Sequence, residues 1–99
     1  MRTTLDKLSF EVMNATADDW ESLEQIMSAV EKYAGDTGRL AVARLIFDLV
    51  SEGLFEVGQN KSVTPELIVK DPLEYWFRMT TQGRALWDAE AHKYYPDEK

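Results

Sequence analysis

The sequence contains no cysteine, a single histidine and no long apolar run, and each of these absences excludes a class of protein. Without cysteine the chain can form neither disulfides nor thiolate metal sites, which is typical of a reducing compartment. No stretch approaches the roughly 18 apolar residues of a membrane-spanning helix, and the first residues lack the apolar core of a signal peptide. We therefore expect a soluble, cytoplasmic protein.

Positive charge is also scarce, with 11 Lys and Arg against 18 Asp and Glu and a net charge of −7. No segment of the chain is basic. Such a charge repels nucleic-acid phosphates and anionic membranes on average, and it attracts basic protein surfaces. The composition therefore favours a basic protein as the partner, disfavours nucleic acid and predicts no membrane binding.

Residues arranged for catalysis or cofactor binding are missing as well. His92 has no second histidine or spaced carboxylate to share a metal, and no Gly-rich phosphate loop or nucleophile elbow is present. Acidic pairs such as Asp18-Asp19 stand where a helix should begin, and there they are explained as caps and as partners of the helix dipole. The sequence predicts a protein that is not an enzyme and holds no cofactor or metal.

The 99 residues, 44% of them hydrophobic, are enough for one hydrophobic core. Low-complexity tracts, repeats and linkers are absent from the sequence. We expect a single domain over residues 1–99, with its core at about 5–92 and a frayed tail at 93–99.

Apolar spacing and capping residues predict four main helices. The first covers about 4–15 with Thr4 as its cap. The second begins at one of two capping boxes, Asp18 with Glu21 or Ser22 with Gln25, and ends at Gly35. The third, at about 38–52, is apolar on most sides and should be the central core helix. The last covers about 82–92 and is capped by Thr80 or Thr81.

Two short strands are predicted in the second half of the chain, at 54–57 and 75–79, and they should pair antiparallel. Residues 58–74 connect them, and we call this connection the wing. Thr64 followed by Pro65 is typical of a helix start, so the wing should contain one helical turn. The predicted fold class is mainly α with a small β-hairpin (α+β).

Two segments carry a family resemblance: Leu49 to Leu54, where the third helix runs through Gly53 into a strand, and Met79-Thr80-Thr81-Gln82-Gly83-Arg84. They resemble the corresponding segments of winged helix-turn-helix domains, in particular bacterial regulators of the MarR and PadR type. The resemblance implies the order helix, helix, helix, strand, wing, strand, helix. It also implies a transcriptional regulator that binds DNA as a dimer, with these candidate DNA contacts: Thr37, Arg39, Arg44, Lys61 and Lys70.

The third-helix face that would enter the major groove is poor in the cations that DNA requires. Arg44 faces the carboxylates of Asp48 and Glu52, and an Arg44–Asp48 ion pair at i, i+4 is the simplest interpretation of that spacing. The wing adds Leu67, Ile68, Val69 and Leu73, apolar residues that must fold back or meet a partner.

We therefore expect protein–protein contacts, as an adaptor, an inhibitor or an immunity-type partner of a basic protein, with a homodimer as a further arrangement; DNA binding is the alternative. Trp20 and Trp76 should seal the edge of the core. The candidate partner-binding residues are Arg44, Asp48, Glu52, Leu67, Ile68, Val69 and Trp87.

Overall fold

The chain forms helices and one small sheet in a computed structural model that describes residues 2–34 and 37–95. In chain order the described α-helices and strands are α1 (Lys7–Asn14), α2 (Leu23–Ala34), α3 (Arg39–Ser51), β1 (Phe55–Val57), α4 (Pro65–Lys70), β2 (Phe77–Met79) and α5 (Thr81–Tyr94). The fold is mainly helical with a two-stranded antiparallel hairpin, which confirms the predicted α+β class.

The first helix begins three residues later than predicted. Its cap is Asp6, whose side chain accepts a hydrogen bond from the Ser9 amide at 2.8 Å, so the prediction of Thr4 as the cap is wrong. Leu5 explains the difference, because it is buried and its amide donates to the Glu90 carboxylate at 2.6 Å. That long-range bond holds the backbone before Asp6 outside the helix.

The starts of α2 and α5 follow the predicted capping chemistry. Of the two boxes proposed for α2, the structure uses the second: the Ser22 amide donates to Gln25 Oε1 at 2.8 Å, and Ser22 is buried. At α5, Thr80 rather than Thr81 is the cap, and its hydroxyl accepts from the Gly83 amide at 3.0 Å. The predicted stop of α2 at Gly35 lies outside the described residues.

The hydrophobic core is built around α3, as expected from its apolar sequence. α3 packs against α4, β1 and α2, while α1 packs against α2 and α5. Burial of these side chains is the main favourable contribution to folding. The most completely buried large side chains are Phe10, Phe55, Phe77, Leu5, Met13, Leu23, Ile26, Ile46, Leu49, Ile68, Val12 and Val30.

The hairpin pairs Phe55 with Met79 and Val57 with Phe77. These four side chains are buried, whereas Arg78 points outward, which is the alternation of a strand with one face on the core. An isolated bridge also joins Glu21 to Phe77, with N–O distances of 2.9 and 3.0 Å in the two directions. The segment before α2 therefore borders the sheet, which the sequence pattern does not predict.

The last helix continues to Tyr94, two residues beyond its predicted end, and Tyr95 is hydrogen-bonded to side chains of α1 and α2. Of the predicted frayed tail, residues 96–99 lie outside the described part. No helix in the described ranges is both long enough and apolar enough to cross a bilayer.

Candidate functional site

The exposed face of α3 carries one cation and one carboxylate. Arg44 and Asp48 are both exposed, and so are Ala41 and Ser51 on the same face. The expected ion pair between Arg44 and Asp48 is not formed within 4.0 Å in this structure. Leu40, at the start of the helix, exposes 39% of its surface. This face thus has almost no net charge.

Glu52, at the C-terminal end of α3, is bound by the N-terminal segment of the same chain. Arg2 Nε lies 2.9 Å from Glu52 Oε1, a second guanidinium nitrogen lies 3.0 Å from Oε2, and the Arg2 amide donates to Oε1 at 3.2 Å. A bidentate guanidinium contact stabilises the ionised carboxylate. Hydrogen bonding to Arg2 therefore lowers the pKa of Glu52. Glu52 is available to a partner only if this contact is broken.

Two of the cations proposed for DNA contact form exposed ion pairs with carboxylates of the same chain. Arg39 lies 2.8 Å from Glu24 on α2, and Lys61 Nζ lies 2.9 Å from Glu74 Oε1. The other two proposed cations are Arg44, on α3, and Lys70, at the end of α4. Among the described residues, no carboxylate lies within 4.0 Å of either. Thr37 is half-buried ahead of α3.

The wing folds back onto the domain through α4. Thr64 caps this helix by accepting from the Leu67 amide at 3.2 Å, and Pro65 occupies its first turn, as predicted. Ile68 is fully buried and Val69 is half-buried against the core, so Ile68 offers no surface to a partner. Leu67 exposes 36% of its surface. The apolar residues of α4 therefore mainly attach the wing to α3.

Two large apolar side chains that follow α4 in the sequence stay exposed. Leu73 exposes 64% of its surface and Trp76 exposes 39%. Together they border a groove of about 240 Å³, which we call the aromatic groove, lined by Gly58, Gln59, Lys61, Leu73, Glu74 and Trp76. The Lys61–Glu74 ion pair lies in this lining, so the groove combines apolar surface with a neutralised cation.

Gly58, in the lining of this groove, lies near two tryptophans. A Cβ at this position would lie 3.7 Å from both the Trp20 ring and Trp76 Cβ, which is ordinary contact distance. Trp20 is covered on one face by Arg78, whose guanidinium carbon is 4.4 Å from the ring centre and whose Nε is 3.1 Å from Glu56 Oε2. Trp20 is therefore held by its own chain, while Trp76 remains more accessible.

Trp87 has the opposite environment from Trp76. Its ring is stacked against Phe10 at a centroid distance of 6.3 Å, and its Nε1 donates to Asn14 Oδ1 at 3.2 Å. It is half-buried and packs against the core. Of the tryptophans, Trp76 rather than the proposed Trp87 thus offers the more exposed apolar surface.

The position of Trp76 in the strand pattern indicates that it is exposed. The alternation of β2, continued one residue back, places Trp76 with Arg78 on the side opposite Phe77 and Met79, and the latter pair is buried. A tryptophan beside an arginine on the outer side of a two-stranded sheet has no second sheet to cover it. The prediction that Trp76 seals the edge of the core rests on the usual burial of large aromatic residues, whereas 39% of its surface is exposed.

A larger cavity of about 480 Å³ lies beside the sheet and is polar. Glu56, Arg78, Met79, Thr80, Thr81 and Arg84 line it, and both arginines are already engaged: Arg78 with Glu56, and Arg84 with the Ala17 carbonyl at 2.8 Å. Across residues 2–34 and 37–95, no group of three or more His, Cys, Asp or Glu is placed to hold a metal.

Comparisons with models of protein families, with curated proteins and with solved structures find no significant match.

Proposed function

We propose that this chain is a small winged-helix protein of the cytoplasm that acts by binding a basic protein and not by catalysis. Its role would be that of an adaptor, an inhibitor or an immunity-type partner. The observation that carries the proposal is the aromatic groove, where Leu73 and Trp76 are exposed on an acidic protein beside a lysine already neutralised by Glu74.

The order of elements supports the winged-helix part of the proposal. Three helices are followed by a strand, a connection, a returning strand and a final helix, which is the order implied by the resemblance to MarR- and PadR-type regulators. The connection differs from a simple loop because it contains α4, which packs against α3. Since a fold hosts many functions, this order supports the scaffold and not the role.

Charge supports a basic protein as the occupant of the groove. The net charge of −7 favours encounter with a positive surface, and electrostatic complementarity acts mainly on the rate of association and on the choice of partner. Exposed tryptophan then supplies the apolar anchor, since binding energy in interfaces is concentrated in a few residues and tryptophan is enriched among them.

Affinity capture with a matched pair of variants tests this proposal. We expect the protein partner recovered by the wild-type chain to be basic, and its recovery to fall as salt is raised. A groove variant, Leu73→Ser with Trp76→Ser, should lose at least about tenfold in affinity, because truncating an interface anchor costs about 2 kcal/mol. Capture from the producing cells, followed by mass spectrometry and titration of the recovered protein, provides the measurement.

The control is Leu40→Ser on α3, because Leu40 has the same exposed fraction as Trp76, 39%. Both variants must retain the wild-type circular dichroism spectrum. Recovery of the same partner at the same affinity by the groove variant, or loss of binding in the Leu40 control alone, would contradict the assignment to the aromatic groove.

The alternative, a transcriptional regulator that binds DNA as a dimer, rests on Arg44 and Lys70, for which no ion pair is found within the described residues. A dimer would place two copies of each of these cations at the DNA. This alternative requires binding to duplex DNA that is strongest at low salt, because phosphate contacts release counterions.

A further inference from the structure

Three tyrosine rings surround the ammonium group of Lys7. Lys7 Nζ lies 4.8 Å from the ring centre of Tyr33, 5.0 Å from that of Tyr94 and 4.7 Å from that of Tyr95. All three distances are within the roughly 6 Å over which a ring face attracts a cation. The rings come from α2 and from the end of α5, and the lysine from α1. The fold thus brings together groups that are far apart in the sequence.

A buried carboxylate completes this arrangement, which we call the tyrosine cage: Tyr33, Tyr94, Tyr95 and Glu11. The Glu11 side chain is only 4% exposed, and its Oε2 lies 3.0 Å from Lys7 Nζ. The Tyr95 hydroxyl donates to the same oxygen at 2.6 Å, and the hydroxyls of Tyr95 and Tyr33 are 3.1 Å apart. A carboxylate this deeply buried needs a cation and hydrogen bonds in place; Lys7 supplies the cation and Tyr95 a hydrogen bond.

Hydrogen bonds fix the orientation of the rings. Bonding to Glu11 and to Tyr33 raises the pKa of Tyr95, so this phenol stays neutral at physiological pH. The Tyr94 hydroxyl donates to the Leu5 carbonyl. Lys32 also lies near the cage, 5.1 Å from the Tyr33 ring centre. The cage is therefore a preformed set of ring faces around one carboxylate, with a second lysine at its edge.

This combination of groups matches the chemistry of alkylated ammonium ions. Methyl groups on nitrogen leave the positive charge in place but reduce its hydration, so less free energy is lost when the cation moves from water to ring faces. Aromatic cages are the usual recognition device for choline and methylated lysine. The Lys7 side chain is 40% exposed and Tyr95 is 50% exposed, so the cage is open to solvent.

We propose that the tyrosine cage is a binding site for an alkylated ammonium group, and that unmodified Lys7 occupies it in this structure. The group has two sources: Lys7 itself after Nε-methylation, or a free quaternary ammonium ligand that replaces Lys7. In the first case a sulfonium methyl donor would be required. A C–N bond forms on the deprotonated amine as the donor's C–S bond breaks, and the ammonium proton leaves to solvent. The proposal is independent of the aromatic groove and of its partner.

The first arm of the test places methyl groups on Lys7 in the full chain. Reductive methylation with ¹³C-formaldehyde converts every accessible lysine to its dimethyl form, and the Lys7→Arg variant assigns the Lys7 signal by its disappearance. We expect the Lys7 methyl resonance to lie upfield of all the other dimethyl-lysine signals, because the ring currents of three tyrosines act on it. Tyr33→Leu should move that resonance toward the others.

The second arm offers a free ligand to an emptied cage. Tetramethylammonium chloride is titrated into Lys7→Ala and into the wild-type chain, and amide shifts at residues 33, 94 and 95 are followed by NMR. We expect saturable binding to Lys7→Ala that is at least tenfold tighter than to the wild type. Neopentyl alcohol, a neutral molecule with the same branched skeleton and one added hydroxyl group, should not bind saturably.

The two arms distinguish the sources. A displaced Lys7 methyl signal supports methylated Lys7 as the occupant, and saturable tetramethylammonium binding supports a free ligand. If Lys7→Ala does not fold, the first arm decides alone, because it keeps the cage and its lysine intact. A Lys7 methyl signal among those of the other lysines, together with no saturable binding of tetramethylammonium, overturns the proposal.

Discussion

Gly83→Ala is expected to lower the free energy of unfolding by about 3 kcal/mol, a large part of the stability of a domain of this size. A Cβ at Gly83 would lie 1.9 Å from the Leu54 carbonyl oxygen and 2.8 Å from its carbon. These are backbone atoms, and the same oxygen accepts from the Thr80 amide at 3.1 Å. The Leu54 carbonyl cannot move without breaking that hydrogen bond. The start of α5 must therefore move away from Leu54, the residue just before β1.

Urea denaturation followed by circular dichroism measures this effect, with Gly38→Ala as the control. A Cβ at Gly38 would meet nothing within 4 Å, and its φ of −78° suits any residue. Gly38 is the N-cap of α3, where Ala is less favourable than Gly, so we expect the control to change the free energy of unfolding by no more than about 1 kcal/mol. Equal stability of the two variants would mean that α5 does not lie against Leu54.

Ile68→Ala is expected to cost about 2 to 4 kcal/mol, although Ile68 lies on a six-residue helix in the connection between the two strands. The side chain is fully buried, and α4 packs against α3, the central helix of the core. Truncation removes buried apolar surface and leaves a cavity between two helices. Substitutions in ordinary surface loops have much smaller effects, so the size of this loss reports whether the wing belongs to the core.

The matched control is the neighbouring Leu67→Ala, since Leu67 is of similar size but 36% exposed. Its cost should stay below about 1 kcal/mol. Both variants are measured by thermal and chemical unfolding. If Ile68→Ala were as mild as Leu67→Ala, α4 would not be attached to α3, and all the apolar residues of the wing would again become candidates for partner contact.

Local signals predicted the elements well because they act within a few residues. Thr64 with Pro65 correctly located α4, and of the two caps that the sequence offered for α5, Thr80 is the one used. The start of α1 could not be predicted in this way. Thr4 and Asp6 are both good caps, and the choice between them is made by the bond from the Leu5 amide to Glu90, a residue 85 positions away.

The candidate site was less predictable because exposure depends on tertiary contacts. Ile68 and Leu67 are adjacent apolar residues, and only the packing of α4 on α3 decides that the first is buried and the second is not. No sequence pattern predicts the tyrosine cage, because Lys7 and Tyr95 come into contact only when α1 and α5 pack together.

Titration of fluorescently labelled mixed duplex DNA tests the central claim, function through protein contacts rather than DNA binding, without knowledge of the partner. Anisotropy is measured at about 50 mM salt, where binding driven by phosphate contacts is strongest. With Arg39 and Lys61 neutralised by Glu24 and Glu74, we predict a flat titration up to high micromolar protein. Saturable binding that weakens as salt is raised, and that is lost in Arg44→Ala, would contradict it.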